Sequence, residues 1–183
     1  MKEAVLEINK TQIFSSDLGT VMHEWESPIM EEKAKWVCQN GGDILEIGFG
    51  MGISAGYIQK QKINSHTICE INPQILKNLY KWAQNKPNVT ILEGDWYDNI
   101  DKMSKYHGIL YDPHNDKHWQ DFRHVIPKIA NPKCKITWWN NHEQAVNLHK
   151  LKETMFEVLN VNPPKNTYFN HKHYHMPKCT YNA

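Results

Sequence analysis

The sequence predicts an α/β chain built on a mostly parallel sheet, and three observations predict it. Apolar strand-like runs alternate with amphipathic helix-like segments through the middle of the chain, the rhythm of parallel strands joined by right-handed crossovers. The run Ile44 to Ile47 leads directly into alternating glycines, Gly48, Gly50 and Gly52, and then into a helix signal. Such a turn lets backbone N–H groups approach a ligand, at the positive end of the helix that follows. Finally, Glu70, Asp95, Asp112 and Asn140 each fall at the carboxyl end of a predicted strand, where open α/β sheets bind their ligands.

The elements follow in order. A helix is expected over 26–39, where Glu26-Ser27-Pro28 places a proline in the first turn. The first sheet strand is 43–47, followed by helix 53–62, strand 66–71, helix 73–84 and strand 89–93. Helix 98–104, strand 107–112, helix 117–130, strand 134–139 and helix 142–153 complete the alternating part. Beyond Met155 the pattern changes. Met155 to Val161, the pair Pro163-Pro164 and then Thr167 to Met176 read as a β-hairpin.

At 183 residues the chain has the length of one domain with a real core. A formal net charge of +1, with Arg123 as the only arginine, gives no basic field for a nucleic-acid backbone. Cys38, Cys69, Cys134 and Cys179 are dispersed without a C-x-x-C pair and read as reduced thiols of a cytoplasmic protein. No apolar run reaches membrane-spanning length, and Met1-Lys-Glu-Ala-Val5 has no signal-peptide profile. His171, His173 and His175 alternate, so on a strand they share a face; with no fourth ligand evident, no metal is expected.

Individual residues carry more chemistry. Glu70 follows the glycines by about 20 residues, where a carboxylate can accept from both ribose hydroxyls of a nucleotide, or it is a solvated strand-end acid. In Glu93-Gly94-Asp95-Trp96 the tryptophan either packs beside an adenine or belongs to the core. Asp112 ends Ile109-Leu-Tyr-Asp112, placed to hold a cationic nitrogen, orient it and take its proton, or to cap the next loop. Glu26, taken by pattern alone, is a helix start.

The stretch E-x-G-x-G-x-G with Glu70 is similar to the S-adenosylmethionine (SAM) site of class I methyltransferases. Val21-Met22, Trp25-Glu26, Pro28 and Met30, then Gly41-Gly42, Leu45 to Met51, Glu70-Ile71-Asn72, Trp96 and Gly108 to Asp112 together resemble the guanidinoacetate N-methyltransferase family over roughly residues 18 to 176. The resemblance implies a Rossmann-like class I methyltransferase: a mostly parallel seven-stranded sheet with an antiparallel C-terminal hairpin strand. Residues 1–183 would form a single methyltransferase domain, with 1–40 as an N-terminal lid and helix segment and 41–183 as the SAM-binding core. SAM is the implied cofactor, contacted by Met22, Met30, Phe49, Gly50, Met51, Gly52, Ile53, Ser54, Glu70, Ile71, Asn72, Trp96, Tyr97 and Asp112. Glu46 would order the loop or meet the SAM amino group through water. Asp112 and Glu26 would be the catalytic carboxylates. With Met22, Asn140 and Asn141 they would form the substrate site, the two asparagines holding an acceptor carboxylate largely through backbone. Two opposed carboxylates suit a planar cation with a fork of donors.

The implied reaction is methyl transfer to a nitrogen of a small guanidino acid, guanidinoacetate first, by a monomer or homodimer with no nucleic-acid or membrane partner. The sequence departs from the family in a shorter N-terminal extension, so closure falls to residues 1–20, with Phe14 a candidate, or to another segment. It departs again in Pro113-His-Asn-Asp116 after Asp112, in Asn131-Pro-Lys-Cys134, and in the second amide of Asn140-Asn141. His114 and His118 are further candidates for the acceptor side. Two rivals follow: a methyltransferase of protein arginine or another macromolecular acceptor, and a non-catalytic SAM-binding protein.

Overall fold

The computed structural model describes residues 5–182. Three short strands come first: β1 (Leu6–Ile8), β2 (Gln12–Ser15) and β3 (Gly19–His23), an antiparallel sheet in the order β1-β2-β3. Their turns are written in the sequence. Asn9 Oδ1 accepts the N–H groups of Thr11 and Gln12 at 2.8 and 2.9 Å, the local bond that lets asparagine replace a backbone turn. Gly19, with φ of 77°, supplies the other turn.

A single 3-10 turn, Glu24–Glu26, leads into α1 (Ser27–Val37), whose buried stripe is Ile29, Met30, Lys33, Ala34 and Val37. The main sheet then forms from β4 (Asp43–Ile47), β5 (Ser65–Glu70), β6 (Val89–Glu93), β7 (Tyr106–Tyr111), β8 (Ala130–Trp138), β9 (Thr154–Asn160) and β10 (His173–Tyr181). Helices α2 (Ile53–Gln59), α3 (Pro73–Ala83) and α4 (Phe122–Ile129) connect the parallel strands. The order is β6-β5-β4-β7-β8-β10-β9. The strands from β6 to β8 run parallel, and β10 pairs antiparallel with both β8 and β9. This is the mostly parallel seven-stranded sheet with an antiparallel C-terminal hairpin that the resemblance implies. The chain runs outward from β4 in both directions, so β4 is the topological switch point where such sheets bind ligands. One face of the sheet is filled by Leu45, Ile47, Trp96, Tyr111, Phe122, Ile126 and Trp138; Ala34, Val37, Ile44, Ile58 and Leu110 cluster separately.

Four parts of the chain differ from the sequence reading. The helix expected over 142–153 does not form: its residues run through turns. Asparagine side chains there take the bonds a helix would use. Asn147 Nδ2 donates to Leu151 O at 2.8 Å and Asn147 Oδ1 accepts from Leu151 N–H, while Lys150 and Glu153 adopt φ of 51° and 58°. The helix expected over 98–104 contracts to the 3-10 turn Ile100–Lys102, and that over 117–130 to α4. Nor did the periodicity announce the three-stranded N-terminal sheet.

That sheet closes over the carboxyl ends of the strands. Gln74 at the start of α3 clamps β1, accepting Leu6 N–H at 2.9 Å and donating to Leu6 O at 3.2 Å. Ile13, fully buried, packs in one cluster with Met22, Met30 and Phe49, whereas Phe14 is half-buried on the same strand. Ile13→Ala should therefore lower unfolding free energy in urea by about 2–5 kcal/mol and weaken cofactor binding in a parallel titration.

Candidate functional site: a glycine turn beside paired carboxylates

The glycine turn sits at the end of β4 because only glycine tolerates its backbone. Gly48, Gly50 and Gly52 have φ of 91°, 54° and 74°, in the region L side chains avoid. A Cβ on Gly48 would lie 2.5 Å from the backbone O of Asp112, and one on Gly50 would lie 2.6 Å from Met22 Sδ. The turn is thus held between the end of β7 and β3 of the N-terminal sheet. Gly48→Ala has to move backbone, not a side-chain tip. We expect it to cost on the order of 1–3 kcal/mol of stability and to abolish detectable SAM binding in a calorimetric titration.

Glu70, buried at the end of β5, organises the turn: it accepts Phe49 N–H at 2.9 Å and Asn72 N–H at 2.7 Å. Burial raises its pKa, opposed by the backbone N–H groups of Asn72, Phe49, Ile71 and Gly50. Asn72 caps α3 by accepting from Gln74 and Ile75 N–H at 2.8 and 3.2 Å, and Ile71 is exposed. Glu46 is fully buried beneath the turn, where it accepts from Ser54 Oγ and lies 2.9 Å from His66 Nε2. Ser54 therefore turns inward, ordering the start of α2. Met22 Sδ accepts Met51 N–H at 3.3 Å, and Phe49 packs edge-on against Trp82 at 5.4 Å.

On the far side, Trp96 is buried among Tyr111 and Phe122 and donates through Nε1 to Asp116 Oδ2 at 2.8 Å. Tyr97 is the exposed aromatic there; it stacks on His118 at 4.1 Å and 9°. Asp95 lies close by, 3.3 Å from Lys117 Nζ and 3.8 Å from His118 Nε2. This places His118 on the Asp95 side of the site.

Glu26 and Asp112 are brought together from distant parts of the chain. Asp112 follows β7, its N–H bonded to Ile47 O at 2.9 Å. Glu26 sits where the 3-10 turn passes into α1, and its Oε1 accepts His23 N–H at 2.9 Å and the Tyr168 hydroxyl. Glu26 is thus both a helix-start cap, reciprocated by His23 Nδ1, and a buried carboxylate beside Asp112. Burial pushes its pKa up to about 7, with the charge of Asp112 adding to the rise and the bonds from Tyr168 and His23 opposing it.

Around this pair, Tyr168 and Lys33 were not singled out in the sequence, whereas Trp25 belongs to the motif that carries the resemblance. Tyr168 lies in the loop before β10, donates to Glu26 and accepts from Trp25 Nε1 at 3.0 Å. Trp25, Tyr168, Phe169, Trp139 and Tyr174 form a contiguous aromatic wall. Lys33, fully buried two turns along α1 from Glu26, places Nζ 3.1 Å from Asp112 Oδ2. Burial alone would lower the lysine pKa, but Asp112, Tyr174 and Glu26 outweigh it and raise it, so the ammonium is charged. No periodicity flags Tyr168. Lys33 does leave a signal, a lysine on an otherwise apolar helical stripe.

The remaining expected residues are engaged structurally. Asn140 is buried: its N–H donates to Tyr174 Oη at 3.0 Å, and Nδ2 donates to the carbonyls of Gln144 and His175 at 2.9 and 3.0 Å. Asn141 is exposed and His114 follows Asp112 at the surface. His171 precedes β10 and packs edge-on to Phe169, while His173 meets Asn160 Oδ1 at 2.9 Å. Among the described residues, no group of three His, Cys, Asp or Glu is placed to hold a metal, and no helix is long and apolar enough to cross a membrane. All four cysteines are buried free thiols.

Comparison with known proteins adds the family. The model of the guanidinoacetate N-methyltransferase family matches residues 1–140. Protein arginine N-methyltransferase 2 of Candida glabrata is 35% identical over 134 residues, covering 66% of this chain and 32% of that protein. Its counterpart in Kluyveromyces lactis is 29% identical over 195 residues, covering 88% of this chain and 47% of that protein. The chain therefore spans less than half the length of these relatives. Among solved structures, spermidine synthase from Thermotoga maritima superposes with a TM-score of 0.68 at 11% identity, covering 96% of this chain and 72% of that one. Precorrin-6y C5,15-methyltransferase from Geobacter metallireducens gives 0.64 at 12% identity, covering 91% and 93%. These two likenesses establish the fold. With a turn that only glycine accommodates, an acid ordering that turn, and a family match over most of its length, the chain belongs to the guanidinoacetate N-methyltransferase family.

Proposed function

We propose that this chain methylates a nitrogen of a guanidino group held between Glu26 and Asp112. The observation that supports this most is the pairing itself: two acids distant in sequence, Glu26 buried and Asp112 half-buried, meet beside the glycine turn, close enough that the charge of Asp112 raises the Glu26 pKa. Lys33 already answers Asp112, so the charge left to match is that of Glu26 as it ionises, and a guanidinium fork meets two carboxylate edges at once. The turn from Phe49 to Ser54, with Met22 and Met30 above it, would hold SAM; Glu70 would hold its ribose, and Trp96 and Tyr97 would flank its adenine. Bound SAM supplies a methyl group activated by a positively charged sulfur. The chain's own residues do the rest. Asp112 orients the nitrogen and removes its proton, since a protonated guanidinium has no lone pair to offer. Glu26, fixed by His23 and Tyr168, holds the opposite edge, and the aromatic wall excludes water.

Two acceptors are in contention, one supported by a single observation and the other by two. The family's name favours a small guanidino acid such as guanidinoacetate. An arginine side chain of a protein is favoured by the relatives named as protein arginine methyltransferases. It is favoured too by Asn140, whose backbone N–H, expected to meet an acceptor carboxylate, already donates to Tyr174. We place the arginine side chain first. The test is mass spectrometry after incubation with SAM and, separately, an arginine peptide, arginine and guanidinoacetate. Methylation of the peptide above the free acids supports the arginine reading; methylation of guanidinoacetate alone reverses the order. SAM bound with every guanidino compound unmodified would refute the guanidino assignment.

A further inference from the structure

We propose that Lys33 determines acceptor specificity: its ammonium already fills the ammonium-sized seat at Asp112, so the site rejects ammonium acceptors and admits a guanidinium. The inference rests on the reading of Glu26 and Asp112 as the acceptor's holders.

The geometry points to this in three ways. First, Lys33 stands in a core position of α1, between Ile29-Met30 and Ala34-Val37 on the buried stripe, where an apolar residue is the default and an unpaired ammonium is costly. Second, its Nζ lies 3.1 Å from Asp112 Oδ2 and 4.8 and 5.8 Å from the centroids of the Trp139 and Tyr174 rings. It is therefore seated in a cation-shaped niche, with one carboxylate and two ring faces. Third, Lys33 is fully buried while the Asp112 side chain keeps 21% of its surface open, so an incoming acceptor meets the carboxylate from the side Lys33 leaves free.

The selectivity follows from charge shape. A compact ammonium gains most by close approach to a carboxylate oxygen, and at Asp112 that approach puts two like charges within a few ångströms in a poorly screened site. A guanidinium is planar, spreads its charge and presents donors along two edges. It reaches the free edge of Asp112 and Glu26 together while keeping its charge centre farther from Lys33.

The test needs no turnover. Wild type and Lys33→Met, both saturated with S-adenosylhomocysteine, are titrated by calorimetry at constant ionic strength with guanidinium chloride and with methylammonium chloride. Wild type should prefer guanidinium. Lys33→Met should bind methylammonium at least tenfold tighter than wild type does, with a smaller gain for guanidinium, so that the preference narrows or inverts. Lys33→Gln, neutral but still able to donate to Asp112, should behave in the same direction and serves if the methionine variant does not fold. An unchanged preference in both variants would overturn the proposal while leaving the guanidino reading in place. A narrowed preference together with no methyl transfer to any guanidino compound would retain the role of Lys33 and refute the acceptor reading. Binding of neither ion to either form would overturn both.

Discussion

Asp112→Asn should lower kcat/KM for the guanidino acceptor by roughly a hundred- to ten-thousandfold, the range of a lost general base, with little change in SAM affinity. The same substitution should also destabilise the fold, and for a separable reason. Lys33 is fully buried with Asp112 as its ion-pair partner, and a buried ammonium stripped of its carboxylate costs on the order of 3 kcal/mol. The double variant Asp112→Asn/Lys33→Met removes both charges and should recover most of that stability in urea denaturation while staying inactive. If the double variant recovered activity as well, Asp112 would be a structural counter-ion and not the residue that handles the acceptor. A single variant that folds as well as wild type would contradict the charged, paired state of Lys33.

The second large effect is the pH dependence carried by Glu26. Its pKa is raised from 4.5 to about 7 on folding, chiefly by burial. An acid whose folded pKa is raised binds its proton more tightly in the native state, so its favourable contribution is fully present below about pH 4.5 and lost as pH rises through about 7. At pH 8 the protein therefore carries a buried ionised carboxylate, at a cost of about 2–3 kcal/mol relative to acid conditions. Glu26→Gln keeps acceptors for His23 N–H and the Tyr168 hydroxyl but has no charge to bury. Its stability relative to wild type should thus rise by that amount between pH 5 and pH 8 in urea denaturation. Acceptor binding should move the other way, improving in wild type as Glu26 ionises and becoming nearly independent of pH in the variant. Loss of SAM binding and of stability together in Glu26→Gln at every pH would mean that the helix-start bonds are the residue's whole role.

Much of the scaffold was legible because its signals are local. The glycines mark the turn since no other residue accepts its backbone, and β4, β5, β6 and β7 lie within a residue or so of their apolar runs. The 142–153 segment misled because asparagine side chains at Asn140 and Asn147 close their own turns, which a hydrophobic pattern does not register. The N-terminal sheet escaped notice because its strands are short, although Asn9 and Gly19 mark its turns. At the site, Asp112 could be placed from its strand end, and Glu26 only through a family resemblance, since its sequence context is a helix start. Tyr168 and Lys33 were not anticipated, because their importance lies in contacts: Tyr168 reaches Glu26 across 142 positions and Lys33 reaches Asp112 across 79.

The central claim, that Glu26 and Asp112 jointly hold a guanidinium beside the cofactor, is tested most directly by calorimetric titration of an arginine peptide and of guanidinoacetate. The titrations are made at pH 8 into wild type, Glu26→Gln, Asp112→Asn/Lys33→Met and the combination of all three substitutions, each saturated with S-adenosylhomocysteine. The paired-carboxylate account predicts that removing either acid weakens the preferred acceptor at least tenfold. It also predicts that the combined loss falls short of the sum, because the two acids grip one group, while S-adenosylhomocysteine affinity stays level. Acceptor affinity that survives loss of both carboxylates would place the acceptor elsewhere and contradict it.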